Sequence, residues 1–250
     1  MSDAVADPDL DRLYQESEQE YLRSLPLEHH MESTAQAAQR EITVASFRVI
    51  RCRRPDIQCF NELLVQYPRP GTTRPGRVVP DNMVVVHPEP IRADGSFVVP
   101  RQPARPYLVM EYASKTTMRK DYEANMYRYE RSLGVPYYLL SQPDHGELTL
   151  YRLDAGQYAA VPPDAGGRAD LPELELGVGL LDGWVRFWFR GELVPVTDDL
   201  LRERDAERAA RLAAERLAAK AEQMADAERA ARQALEAEVA RLRAELAARG

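Results

Sequence analysis

One carboxylate in an otherwise apolar stretch constrains this chain more than any other feature. The run Pro106 to Ala113, PYLVMEYA, has the composition of a buried strand, yet Glu111 stands within it. A charge in a buried strand is costly unless it meets a partner or a metal. A second carboxylate, Asp81, opens another strand-like run, DNMVVV. Two readings of Glu111 therefore stand on the sequence: a metal ligand together with Asp81, or a buried acid neutralised by Arg48 or Arg53.

The residues after Glu111 read as a polar Ser-Lys-Thr-Thr turn and then a helix over DYEANMYRYERSLG. Tyr122, Met126, Tyr129 and Leu133 fall on one face of that helix at 4-3-4 spacing, a stripe expected to pack on a sheet. Gly134 is placed to end the helix in the left-handed conformation, and Pro136 blocks its continuation. VPYYLLSQP follows as an edge-to-core strand. ELTLYRL and QYAAVPP read as a hairpin turning near Ala155-Gly156, and LGVGLLDGWVRFWFRGELV supplies further strand material over the core.

Upstream, the period is helical from about Pro26 to the β-branched run at Ile42. It then becomes strand-like over VASFRVIRCR, DIQCFNELLVQY and DNMVVVHP. The loop YPRPGTTRPGRVVP carries Arg69, Arg74 and Arg77, either solvated or facing phosphates. Cys52 and Cys59 are expected to be reduced packing residues, because two thiols without neighbouring histidines make a poor zinc site.

The net charge of -7 is concentrated at one end. Residues 1–32 hold nine acids against Arg12 and Arg23, so the remainder is neutral overall. Residues 1–24 carry an acidic, weakly helical pattern that either docks on the domain or stays mobile. From Thr197 onward the chain is nearly all Ala, Glu, Arg and Leu, with no Gly or Pro before Gly250, which predicts one long helix. Leu235, Val239, Leu242 and Leu246 keep a heptad seam there, so a coiled coil and a homo-oligomer are expected; a solitary charged helix is the alternative. Three regions result: an acidic segment over 1–24, a domain over 25–196 and a charged helix over 197–250.

Several functions are excluded or disfavoured. No stretch reaches the roughly 18 apolar residues of a membrane helix, and the N-terminus lacks a basic region ahead of an apolar one, so a cytoplasmic location is expected. Ser114, Thr116 and Thr117 have no histidine in sequence reach to activate them, and no glycine-rich loop has phosphate-cradling spacing. Two carboxylates meeting at one point suit instead a hard divalent cation. With a lysine to orient or deprotonate water, that is the minimal equipment for phosphodiester hydrolysis.

The ordered set Pro80-Asp81, Glu111-Tyr-Ala-Ser114-Lys-Thr-Thr117, Asp121, Tyr127 and Gly134-Val135-Pro136-x-Tyr138 resembles the Uma-type putative restriction endonuclease family of the PD-(D/E)xK nuclease superfamily. The similarity runs over about residues 25–195. It implies an α/β fold, a restriction-endonuclease-like mixed central sheet flanked by helices, and a metal-dependent endonuclease acting on DNA. It further implies Asp81 and Glu111 as ligands of magnesium, or of manganese in its place, with the main-chain carbonyl after Glu111 as a further ligand. In the superfamily's simplest pattern a lysine stands where this chain has Ala113. The family more often carries it where this chain has Asn125, and Gln142-Pro143 replaces the usual aspartate-proline. Lys115 is the nearest lysine able to swing into the site, with Lys120 less favourably placed. A catalytically degenerate interaction module is the alternative function. His29 and His30 are expected to be a surface pair.

Overall fold

The computed structural model describes residues 8–24, 34–112, 120–142 and 146–247. The chain divides into two compact units, Met1–Val196 and Thr197–Gly250.

The first unit is built on a mixed six-stranded sheet with strand order β1-β4-β6-β7-β8-β9. Its members are β1 (Ile57–Asn61), β4 (Asn82–Val86), β6 (Pro106–Tyr112), β7 (Tyr137–Gln142), β8 (Glu147–Asp154) and β9 (Gln157–Ala160). Every neighbouring pair is antiparallel except β6 with β7, whose connection crosses over through a helix. A three-stranded sheet ordered β3-β2-β5 and a four-stranded sheet ordered β10-β11-β12-β13 complete the strands. The former comprises β2 (Leu64–Tyr67), β3 (Gly76–Val78) and β5 (Ser96–Val98); the latter comprises β10 (Arg168–Leu171), β11 (Leu176–Leu181), β12 (Trp184–Phe189) and β13 (Glu192–Leu193). The expected mixed sheet flanked by helices is therefore present.

Both faces of the six-stranded sheet are covered, which is why Met83, Val84 and Val85 form an unbroken apolar run. On one face, Val84, Leu108, Met110 and Leu139 pack with Phe47 and Ile50 of α2 (Thr34–Arg53) and with Val178, Val185 and Phe187 of the four-stranded sheet. On the other, Met83, Val85, Val109 and Tyr138 pack with Tyr129, Leu133, Val65 and Phe97.

The reading of VASFRVIRCR as a strand is corrected: α2 runs through it to Arg53. Gln39, Thr43, Ser46, Phe47 and Ile50 are buried at helical spacing, so burial overrides the strand preference of Ile42, Val44 and Val49. Pro55 restricts the residue before it and ends the helix. Gln39 fastens α2 to β12 twice, donating from Nε2 to the Val185 carbonyl at 3.1 Å and accepting from the Val185 N–H at 2.8 Å. Cys52 consequently lies exposed on this helix rather than packed, while Cys59 is part-buried, its thiol pushed up to about 12 by burial; both are free. DIQCFNELLVQY is two strands in two sheets, separated at Glu62, which takes a left-handed φ of 49°.

The acidic N-terminal segment is a docked helix, α1 (Pro8–Ser24), with Tyr14 and Ser17 buried. The buried Gln66 of β2 donates to the Tyr14 carbonyl at 3.1 Å and to Ser96 Oγ at 2.9 Å. Arg77 donates to the Ser17 carbonyl at 2.9 Å and sits 5.7 Å from the Tyr21 ring centroid.

The helix after Glu111 is α3 (Lys120–Tyr127), which widens into a π-helical turn over Arg128–Leu133. Gly134 closes it at φ 60°, the expected left-handed end. Strand β7 lies inside the sheet, and the β8–β9 hairpin turns through Ala155 and Gly156, both at positive φ. The second unit is one helix, α4 (Thr197–Ala247), with Leu212, Leu217, Met224 and Leu235 exposed on it. Among the described residues no helix is long and apolar enough to cross a membrane.

Candidate active site

Asp81 and Glu111 come together because β4 runs antiparallel to β6, with Asn82 opposite Met110. The residue before the start of β4 therefore meets the residues ending β6. The Tyr112 N–H donates to Asp81 Oδ2 at 2.6 Å. The Asp81 N–H in turn faces the Glu111 carboxyl, and the two carboxyls lie close enough to act on each other. Each acid is thus oriented by the backbone of the strand that carries the other.

Both acids are displaced from ordinary carboxylate behaviour. Burial, reinforced by Glu62, pushes Asp81 up to about 6 against the opposing Tyr112 N–H and Arg40. Burial and the neighbouring Asp81 hold Glu111 well above the usual range, so the two acids oppose each other's ionisation. Removing water raises the cost of ionising either group, and placing two carboxyls together raises it again. The Tyr129 hydroxyl donates to Glu111 Oε1 at 2.6 Å. It is itself fully buried, its own ionisation suppressed first by desolvation and then by Glu111.

Asn125 approaches the same oxygen, its Nδ2 lying 3.5 Å from Glu111 Oε1. Arg128 Nη1 donates to Asn125 Oδ1 at 2.7 Å. That contact fixes the amide's orientation, since an arginine donor must face the oxygen. On the other side, Arg40 pairs with Glu62 at 2.7 Å, and Glu62 donates its N–H to the Asp81 carbonyl at 3.2 Å. The Tyr112 carbonyl accepts from Gln36 Nε2 at 3.4 Å, a long contact.

Comparison with known proteins places this architecture. The sequence profile of the Uma2 family, described as a putative restriction endonuclease, matches residues 8–182. The chain belongs to this family. It is also similar to the crystal structure, at 1.96 Å resolution, of a putative nuclease belonging to DUF820 from Anabaena variabilis ATCC 29413. The two are 18% identical with a TM-score of 0.44, over 58% of this chain and 75% of that one. No curated protein matches.

In this Uma2 family member Arg53 pairs with Glu192 at 3.5 Å and Arg48 lies exposed on α2, while among the described residues Glu111 meets Asp81, Asn125 and Tyr129. Lys115, Ser114, His29, His30 and residues 116–119 lie outside the described residues. Tyr127 is 64% exposed, so the tyrosine that reaches the site is Tyr129. Among the described residues no group of three or more His, Cys, Asp or Glu side chains gathers as a metal cluster; the two-carboxyl pair is what the fold assembles.

Three members of the site escaped the sequence. Tyr129 was legible only as part of an apolar stripe, and its phenol performs both tasks by packing on Tyr138 at 5.4 Å between ring centroids while donating to Glu111. Arg40 and Glu62 gave no signal, because only the chain reversal at Glu62 brings them beside Asp81.

Proposed function

We propose that this protein is a divalent-metal-dependent endonuclease that hydrolyses DNA phosphodiesters, with Asp81 and Glu111 as the ligands of a magnesium ion that manganese can replace. The observation that carries this reading is the part-buried pair of carboxyls, Asp81 and Glu111, that the antiparallel register brings together at the meeting of β4 and β6. Two acids that resist joint ionisation are stabilised as anions by a cation between them, and magnesium needs few protein ligands because it keeps its waters. The Tyr112 carbonyl, lightly held by Gln36, is a suitable third oxygen.

When bound, the ion supplies Lewis-acid stabilisation of phosphoryl oxygens and lowers the pKa of water. The chain's own residues hold the geometry: Tyr129 anchors one Glu111 oxygen, the Tyr112 N–H anchors Asp81, and Asn125 is placed to hold a water by hydrogen bonding. Lys115 is the candidate helper that would orient that water. Hydrolysis forms a bond from the water oxygen to phosphorus and breaks one phosphorus–ester oxygen bond. The water's proton is released and the departing alkoxide is protonated, leaving one hydroxyl end and one phosphate end.

The test is cleavage of plasmid DNA in magnesium or manganese by the wild-type protein, Asp81→Ala and Glu111→Ala. Loss of about 100-fold or more in both variants supports the reading, in line with the cost of removing a metal ligand or its support. Activity unchanged in both overturns it.

A second reading has its own observation. Asn125 cannot act as a cationic acid, and α4 leaves several large apolar side chains exposed. A catalytically degenerate interaction module, self-associating through α4, accounts for both. It is distinguished by absence of metal binding in calorimetry together with a concentration-dependent oligomer.

A further inference from the structure

The described site is rich in acids and short of cations that are free to meet a phosphate. Asp81, Glu111 and Glu62 face it, and Arg40 is committed to Glu62 at 2.7 Å. Arg128 differs from Arg40. Its hydrogen-bond partner is the neutral Asn125 at 2.7 Å, and among the described residues it forms no ion pair with a carboxylate. It is part-buried, so it keeps access to solvent while its head is held in place.

Its position follows from the backbone. α3 changes to a π-helical turn at Arg128, and the wider turn carries Tyr129 to Glu111 while Arg128 reaches back to Asn125. Insertions of this kind re-aim side chains and recur at functional sites. Asn125 Nδ2 faces Glu111 Oε1 and its Oδ1 faces Arg128, so the guanidinium stands one amide away from the carboxyl pair. Arg69, two residues past the end of β2, also acts electrostatically on the Tyr67 hydroxyl, as Arg128 does.

Resting on the endonuclease reading, we infer that Arg128 is the phosphate-binding cation of this site, gripping a non-bridging oxygen of the DNA phosphodiester held beside Asp81 and Glu111. A guanidinium suits this task. It is always protonated, presents several donors in a fixed plane and matches phosphate geometry in pairs of hydrogen bonds. For the same reason it does not act as the base: it neutralises charge on the phosphate and exchanges no proton. With the position of Asn125 occupied by a neutral amide, Arg128 delivers positive charge to the site from the next turn of the helix.

The experiment uses the full-length protein, with Arg128→Gln and Arg128→Lys alongside Asp81→Ala, and thermal unfolding to verify folding. Two readouts are taken: cleavage of a duplex in magnesium, and salt-dependent binding of the same duplex in calcium. Losing one phosphate contact lowers the slope of log affinity against log salt by about 0.9. Arg128→Gln is expected to lose this slope and at least about 10-fold in cleavage, with Arg128→Lys recovering part of both, because a lysine restores the charge without the fork.

If the wild type cleaves and Arg128→Gln matches it in rate and slope, the inference is overturned and the endonuclease reading stands. If the wild type binds DNA with an Arg128-dependent slope but does not cleave, the inference stands and the hydrolytic reading falls. A wild type that neither binds nor cleaves overturns both.

Discussion

Tyr129 donates its hydroxyl to Glu111 Oε1 at 2.6 Å from a position with no solvent exposure. On the proposed metal-binding reading, a buried phenol on this carboxylate fixes which oxygen remains for the ion, and it eases ionisation of an acid whose surroundings oppose it.

Tyr129→Phe is therefore expected to weaken magnesium or manganese binding by about 10- to 100-fold, the usual range for a lost orienting partner. The folding cost should stay near 1 kcal/mol, since the ring still packs on Tyr138. Calorimetric titration of the metal reads the first effect and thermal unfolding the second. Tyr127→Phe, at an exposed position, serves as the control and should change neither. Equal metal affinity in Tyr129→Phe and wild type would remove Tyr129 from the site.

The raised Asp81 gives a pH signature. A carboxyl pushed up to about 6 in the folded protein, from about 4 unfolded, stabilises the fold relative to its ionised form below pH 4. That stability is lost as pH rises through 6, because the folded chain binds the extra proton. Asp81→Asn keeps an oxygen for the Tyr112 N–H and removes the titration. In metal-free buffer the variant should thus gain on wild type between pH 5 and 7.5, by on the order of 1–2 kcal/mol. Magnesium should stabilise wild type at pH 7.5 and leave the variant unmoved. A stability difference independent of pH would contradict the assigned burial of Asp81.

The sequence was most readable where one face decides a segment. β4, β6 and the helix after Glu111 follow from their periods, and the pairing of Asp81 with Glu111 is the geometric result of an antiparallel β4–β6 register. It was least readable where a tertiary contact outweighs local preference. Ile42, Val44 and Val49 favour a strand, yet burial of Phe47 and Ile50 with the Gln39 clasp on Val185 makes the segment a helix. The π-helical turn at Arg128 leaves no mark on a helical wheel, so a face counted at 3.6 residues per turn shows neither why Arg128 meets Asn125 nor why Tyr129 meets Glu111.

The docked α1 changes what its acidity does. Asp11 pairs with Arg101, and Glu20 lies 3.6 Å from Arg77. Asp11→Asn with Glu20→Gln uncovers both arginines without removing the helix, so duplex DNA affinity should rise several-fold in low salt and converge with wild type in high salt. Gel-shift or anisotropy titrations at two salt concentrations check this. Affinity that does not move would deny α1 any restraint on DNA binding.

Gln66 tests whether α1 is part of the fold rather than an appendage. Its Nε2 bridges the Tyr14 carbonyl and Ser96 Oγ, and Ser96 Oγ continues to Glu18 Oε2 at 2.8 Å. Gln66→Leu strands these buried acceptors and should cost about 1–3 kcal/mol. Tyr14→Ala, which empties a core position, should cost about 3 kcal/mol. Thermal unfolding would then show a single transition lowered by several degrees. An early separate transition, with the main one unmoved, would instead mark α1 as an independent element.

The long helix α4 carries the last test. The two apolar cores of the first unit draw on described residues as far as Val194. Truncation after Val196 should leave the main thermal transition unchanged. A helix of 51 residues spans about 77 Å and gains little from its own alanines once exposed leucines face water. Leu212, Leu217 and Met224 do not hold the phase of the seam that begins at Leu235, so pairing that seam with a second copy would relieve part of the exposure. Full-length protein is therefore expected to sediment as a concentration-dependent oligomer that truncation converts to a monomer. A monomer at all concentrations would leave α4 a solitary helix held by pairs such as Arg211 with Glu215 at 2.9 Å.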